Sequence, residues 1–242
     1  MPHDTVLSRR DGGLLTLTLN RPDTGNLLDA GMAASIVAAL QALDEDVRVV
    51  CLRGAGADFC AGRESPTPPK GGPVPSAEQL RLRVAAPALA LYDALKACPL
   101  PTVAVVQGRA IGVGTALACV CDITVAAQDA QFQVPEMERD IPPTLVMAAL
   151  IDRVPPKTLA HLVLTRLGLD GRAAQAAGLV TTAVPADQLE AAATAVLAPM
   201  LDRSPVALRA VKQYLQLAPG MGPTAASGFA GHLAATALSA RY

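Results

Sequence analysis

The chain has 242 residues, 51% of them hydrophobic and 2% aromatic, and 20 lysines and arginines stand against 21 aspartates and glutamates for a formal net charge of −1. So much apolar material excludes a disordered chain, and the balanced charge, with no basic run interleaved with aromatics, excludes a general nucleic-acid binder. The length suits one large domain or two modest ones.

No apolar window approaches the roughly 20 residues that a membrane-spanning helix needs, so no membrane partner is expected. The first twenty residues carry Asp4, Arg9, Arg10, Asp11 and a Gly12-Gly13 turn where a secretion signal would run apolar, and a cytoplasmic protein is expected. The five cysteines are odd in number and scattered through apolar segments, which fits buried reduced thiols. Cys119 and Cys121, two residues apart in a helix-like run, point in nearly opposite directions, and the three histidines lack companions at ligand spacing. No metal site is expected, and His161 reads as a packed helix residue.

In chain order, Leu14–Leu19 alternates apolar residues with threonine, the pattern of a strand with one wet face, and Arg21-Pro22 ends it. A helix follows over 29–43, with apolar residues at 32, 36, 37, 40 and 43 and Asp29 as its N-cap. The β-branched runs at 47–52, 102–107 and 123–126 suit strands buried on both faces. Helical segments at 77–97 and 114–121 lie between them. This rhythm implies crossover connections and a largely parallel sheet, hence the α/β class. Beyond residue 145 the pattern is mostly helical, with helices expected at 145–153, 156–167, 172–177, 186–202, 205–217 and 225–240 and an extended piece at 180–184. The division expected is a core over 1–185 and a helical C-terminal region over 186–242. Residues 65–75 hold five prolines and two glycines and read as a loop, either a lid or a plain surface insertion.

Two glycine pairs follow strands, but the third glycine of a dinucleotide fingerprint is Phe59 in one case and Leu117 in the other. A phosphate-binding loop, a serine-hydrolase elbow and a zinc-protease motif are also missing. What remains is an ordered series. Leu19-Asn20-Arg21-Pro22 is followed by Asn26, and Gly54-Ala55-Gly56 by Phe59-Cys60-Ala61-Gly62. Pro101 to Gly108 leads to Gly112-Val113-Gly114, and Cys121-Asp122, Ala130 to Glu136 and Gly178-Leu179-Val180 close the set. Over about residues 14–217 this series resembles the enoyl-CoA hydratase/isomerase family, the crotonase superfamily.

The resemblance implies a crotonase-like core of spiral ββα units and an acyl-CoA thioester as substrate. Coenzyme A then enters as part of the substrate, with no tightly bound cofactor. It implies an oxyanion hole of two backbone N–H groups, matching Arg63 and Val113, that stabilises an enolate. The second donor opens a helix, where unpaired N–H groups and the helix dipole favour negative charge. Cβ atoms at both positions narrow a site that relatives build from small residues. The family's hydratases use two glutamates. One matches Glu136, while the other falls on Ala116, two residues after Gly114. Family isomerases keep only the first, so the pattern leans toward double-bond isomerisation with Glu136 as base; hydration and a non-catalytic acyl-CoA-binding role are the alternatives. Decarboxylation and thioester hydrolysis also occur on this fold. Asp140 is a candidate substitute acid, and Glu64 is read as the partner of Arg63. Substrate contacts are expected from Asn26 and from Ala61, Gly62, Glu64, Gly112, Gly114 and Ala116, with Lys70, Arg81 and Arg83 as candidates for the CoA phosphates. The resemblance also implies a homotrimer or hexamer. The chain ends at Arg241-Tyr242, short of the acidic and aromatic tail typical of the family, which bears on lid and assembly.

Overall fold

The computed structural model describes residues 4–64 and 74–240. Lys70 and nearly all of the proline-rich segment, residues 65–73, lie outside the described residues. Two sheets organise the core. The larger has the order β1-β2-β3-β4-β6-β9, from β1 (Val6–Asp11), β2 (Leu14–Leu19), β3 (Val49–Gly54), β4 (Thr102–Val106), β6 (Ile123–Ala127) and β9 (Thr182–Val184). The strand β1 pairs antiparallel with β2 across the Gly12-Gly13 turn, and every later pairing in this sheet is parallel. The β3 and β4 runs are buried on both faces, as their continuous apolar sequence requires.

The smaller sheet, β5-β7-β8, consists of β5 (Arg109–Ile111), β7 (Gln131–Gln133) and β8 (Leu169–Asp170). These pieces of two or three residues are too short to show a period in sequence. Their pairing sets the site: β5 lies parallel to β7, and Gly112 donates its N–H to the Gln133 carbonyl at 2.8 Å, bringing the two chain segments together.

Helix α1 (Ala30–Gln41) starts where Asp29 accepts a hydrogen bond from the Met32 N–H, and it buries Met32, Ala33, Ile36 and Leu40. The next helical stretch is α2 (Ala77–Leu80), opened by a Ser76/Gln79 capping box, a wide π turn over Arg81–Ala85, and α3 (Ala86–Lys96). Helix α4 (Val113–Val120) is buried along its whole length. Helices α5 (Thr144–Leu150), α6 (Pro156–Thr165) and α7 (Gly171–Ala176) follow, then α8 (Leu189–Leu201), α9 (Pro205–Leu217) and α10 (Pro223–Ser239). Leu189, Ala193 and Leu197 join α8 to the main core, so the helices that stand off the sheet are α9 and α10. His161 is exposed on α6 rather than packed, because Leu159, Leu162 and Val163 take that helix's buried face. All five cysteines are buried free thiols, and among the described residues no cluster of three metal-ligating side chains occurs. Among those residues no helix is long and apolar enough to cross a membrane.

One buried ion pair ties α9 to the sheet. Lys212, 1% exposed, donates to both oxygens of Asp122 at 2.6 and 2.5 Å. Asp122 also accepts from the Thr102 N–H and hydroxyl, at 2.8 and 3.0 Å. Removing one partner of such a pair strands the other charge. Lys212→Met should therefore lower unfolding stability by about 3–5 kcal/mol, and adding Asp122→Asn should recover part of the loss; urea denaturation of the parent, single and double variants measures both.

Candidate active site

The end of β3 and the chain just after it, residues 54–58, are held from two sides by side-chain amides. Asn26, fully buried and left-handed at φ 58°, donates to the carbonyls of Ala55 and Asp58 at 2.8 and 2.7 Å and accepts from the Arg21 N–H. Gln107 donates to the carbonyls of Gly54 and Gly56. With every polar atom of its amide engaged, Asn26 holds the loop in place and does not line the cavity.

Past this clamp the chain runs extended beside two neighbours. Cys60 pairs with Ala110, and its carbonyl accepts from the Ile111 N–H at 2.9 Å. Arg63 pairs with Leu28 in a parallel bridge, in which Leu28 donates to the Gly62 carbonyl and accepts from the Glu64 N–H. That pattern turns the N–H of Arg63 away from Leu28. Val113 is the first residue of α4, where an N–H has no intrahelical acceptor. Neither the Arg63 N–H nor the Val113 N–H has an acceptor among the described residues. Both residues line one cavity of about 280 Å³.

The cavity wall is mostly apolar, from Leu27, Val84, Ala88, Ile111, Leu145 and Val146, with Tyr92 among them. Ala61, Gly62, Glu64, Gly112 and Glu136 also face it. Glu136 begins a short 3₁₀ turn, Glu136–Arg139, reached directly from β7. Its Oε2 is buried without a hydrogen-bond partner. Burial pushes its pKa above the usual carboxylate range, opposed by its own backbone N–H and by Arg139. The carboxylate lies over Gly112: a Cβ built there would stand 2.8 Å from Glu136 Oε1. Gly112 also has φ 55° and ψ −109°, a backbone conformation that only glycine adopts without strain.

Several expected contacts fall elsewhere. Gly114 and Ala116 do not line the cavity. Gly114 permits close packing, since a Cβ there would meet the Cys60 carbonyl oxygen at 2.1 Å, and Ala116 is fully buried one turn into α4. Glu64 forms an ion pair with Arg21, which also holds Asp29, and not with Arg63; Arg63 instead donates to the Val84 carbonyl at 2.8 Å. Asp140 is exposed and outside the cavity, turned away by its left-handed position ending the 3₁₀ turn. Arg81 pairs with Glu78 on the surface, and Arg83 is exposed. Tyr92, Arg139 and the α5 residues on the wall were not anticipated. Helical periodicity places Tyr92 on the buried face of α3 with Ala88, Leu91 and Leu95, but only packing turns that face toward a cavity.

The family model for enoyl-CoA hydratase/isomerase matches residues 9–225. The chain belongs to this family. Its members act on acyl-CoA thioesters, and the α/β architecture with a helical C-terminal part is the crotonase fold. A Mycobacterium bovis protein named as a probable enoyl-CoA hydratase is 31% identical over 218 residues, 88% of this chain and 81% of that one. The solved structure of Pseudomonas aeruginosa AtuE superposes with a TM-score of 0.90 at 33% identity, covering 98% of this chain and 92% of that one. A Thermobifida fusca protein solved in complex with CoA superposes with a TM-score of 0.84 at 27% identity, covering 98% and 92%.

The approach of Glu136 to Gly112 yields a test. Gly112→Ala should cost about 1–3 kcal/mol through its strained backbone angles and displace the carboxylate, whereas Gly220→Ala, with no atom within 4 Å of the added carbon, should change stability little. Denaturant melts of the two variants make the comparison.

Proposed function

We propose that this enzyme isomerises the double bond of an enoyl-CoA, with the thioester carbonyl held by the N–H groups of Arg63 and Val113 and with Glu136 as the single base. The observation that carries this reading is the Glu136 carboxylate, buried with an unpartnered oxygen and lying over the residue that precedes one of the free N–H groups. Ala61, Gly62 and Gly112 would border the thioester, while Asn26, Gly114 and Ala116 would support it from behind.

In this scheme Glu136 removes a proton from C2 of a 3-enoyl-CoA. The electron pair spreads onto the carbonyl oxygen as a dienolate, where the two N–H donors stabilise the charge. Glu136 then returns the same proton to C4, leaving the double bond between C2 and C3. No proton is gained or lost overall, so one carboxylate suffices. Hydration needs a second group to orient and deprotonate water. Alanine at 116 offers none, and Glu64, the other carboxylate on the wall, is engaged by Arg21. Hydration remains the second reading because the M. bovis relative carries a hydratase name.

Assembly forms part of the same proposal. Helix α10 has no buried residue, and Val211, Leu215 and Leu238 stand exposed on the α9 and α10 pair. Those faces support a homotrimer or hexamer, and the five buried thiols fit a reducing cytoplasm.

Glu136→Gln should cut 3-enoyl-CoA isomerisation by about 10²- to 10⁴-fold while leaving acyl-CoA affinity within a few fold. The parent should turn over a 3-enoyl-CoA faster than it hydrates crotonyl-CoA; a parent that favours hydration would replace the isomerase reading with the hydratase one. Because the base must be ionised, kcat/KM should rise with pH through an acid limb above the usual carboxylate range.

Stability gives an independent check of the same carboxylate. A raised folded pKa means the folded state holds the proton more tightly than the unfolded state, so the stabilising contribution is present at low pH and lost as pH rises through the folded value. Glu136→Gln should therefore gain stability relative to the parent as pH rises above the usual carboxylate range, as thermal melts over a pH series would record. Sedimentation velocity at micromolar concentration should show a trimer or hexamer, and a monomer alone would contradict the assembly.

A further inference from the structure

The wall of the cavity holds a charge that the proposed chemistry does not use. Arg63 contributes its backbone N–H to that chemistry, but the residue is half-buried and its guanidinium donates to the carbonyl of Val84, itself on the wall, within electrostatic reach of Tyr92. Desolvation lowers its pKa. A charge in such surroundings costs free energy unless it is paired. Among the described residues it makes one hydrogen bond, to the neutral Val84 carbonyl, and no ion pair with Glu64, Glu136 or any other carboxylate. The one carboxylate beside it in sequence, Glu64, is held by Arg21.

Two further groups on this wall carry hydrogen-bond donors. Tyr92, 2% exposed, faces the cavity within electrostatic reach of both Arg63 and Glu136. Arg139 lies on the wall beside Glu136, also without an ion-pair partner among the described residues. The lining carries two guanidinium groups and two carboxylates, but Glu64 is held by Arg21 and Arg139 is exposed, which leaves the half-buried Arg63 without an ionic partner among the described residues. An empty apolar slot for a plain hydrocarbon chain has no use for a half-buried guanidinium. A carboxylate on the acyl chain would use it, taking a planar two-point contact with a phenol hydroxyl close by.

We propose that the Arg63 guanidinium, with Tyr92 beside it, determines acyl-group specificity and selects CoA thioesters whose short acyl chain ends in a carboxylate. This rests on the reading above that the thioester carbonyl docks at the Arg63 and Val113 N–H groups. Since the same residue would hold the carbonyl with its backbone and the carboxylate with its side chain, the two ends of the acyl group lie within one arginine's reach.

The test uses thioesters that cannot react, so that binding is read without turnover. Calorimetry should show glutaryl-CoA binding the parent at least about 10-fold more tightly than pentanoyl-CoA, the thioester of equal chain length without the carboxylate. Arg63→Met should collapse that ratio toward one, Arg63→Lys should keep part of it, and Tyr92→Phe should reduce it less. The ratio between two thioesters cancels any general effect of a substitution on folding or on the neighbouring backbone donor. A parent without preference would overturn the inference, as would an Arg63→Met variant that weakens both thioesters equally, since the guanidinium would then serve CoA or the fold. Glu136→Gln separates the two proposals. If it abolishes turnover while the binding ratio is flat, only the specificity inference fails; if the ratio is large and the variant still turns over, only the base assignment fails. Failure to bind either thioester would overturn both.

Discussion

The carbonyl oxygen of Cys60 packs against the first turn of α4 so closely that a Cβ on Gly114 would stand 2.1 Å from it, and the same oxygen accepts the Ile111 N–H. This contact fixes the distance between two loops that leave the C-terminal ends of the adjacent parallel strands β3 and β4. One carries Arg63, and the other opens the helix at Val113. Asn26 and Gln107 hold the first loop from behind, and Gln133 holds the second through the Gly112 N–H. Each N–H of the pair is left without an acceptor for a different reason: one faces away from its ladder partner, and the other begins a helix. Free donors inside a half-buried wall cost free energy, and the surrounding packing offsets that cost.

Much of this could be read in the chain before any coordinates. The long β-branched runs and the amphipathic spacing after Asp29 locate the parallel sheet and its helices within a few residues, because a deeply buried strand leaves a continuous apolar signature. The second sheet was hidden, since β5, β7 and β8 owe their pairing to the packing of the large sheet rather than to any period of their own. The hairpin strand β1 escaped for a related reason: only Val6 at its start is packed against the core, and the rest is exposed.

Of the motif positions, Gly62, Gly112 and Glu136 border the cavity and Gly114 does not, whereas the partners of charged groups were not legible at all. Sequence adjacency suggested that Glu64 serves Arg63. In a locally extended segment neighbouring side chains point to opposite sides, so Glu64 reaches Arg21 and Arg63 reaches the Val84 carbonyl, although both residues border the cavity. Asn26 shows the same limit from the other direction. Its motif position draws attention to a ligand, and its three hydrogen bonds show that it builds the loop that would meet one.

The ion pair between Asp122 and Lys212 joins positions 90 residues apart. During synthesis, which proceeds from the N-terminus, Thr102 and Asp122 become available to one another long before α9 leaves the ribosome. Until then the nascent sheet contains a carboxylate with hydrogen-bond donors but without its lysine counter-charge. Docking of α9 closes that defect late, and it is also the step that gives α10 a surface to pack on. The lysine that completes the pair thus comes from the last third of the chain, and Arg153, 3.9 Å from the same carboxylate, is the nearby cation that precedes it in sequence.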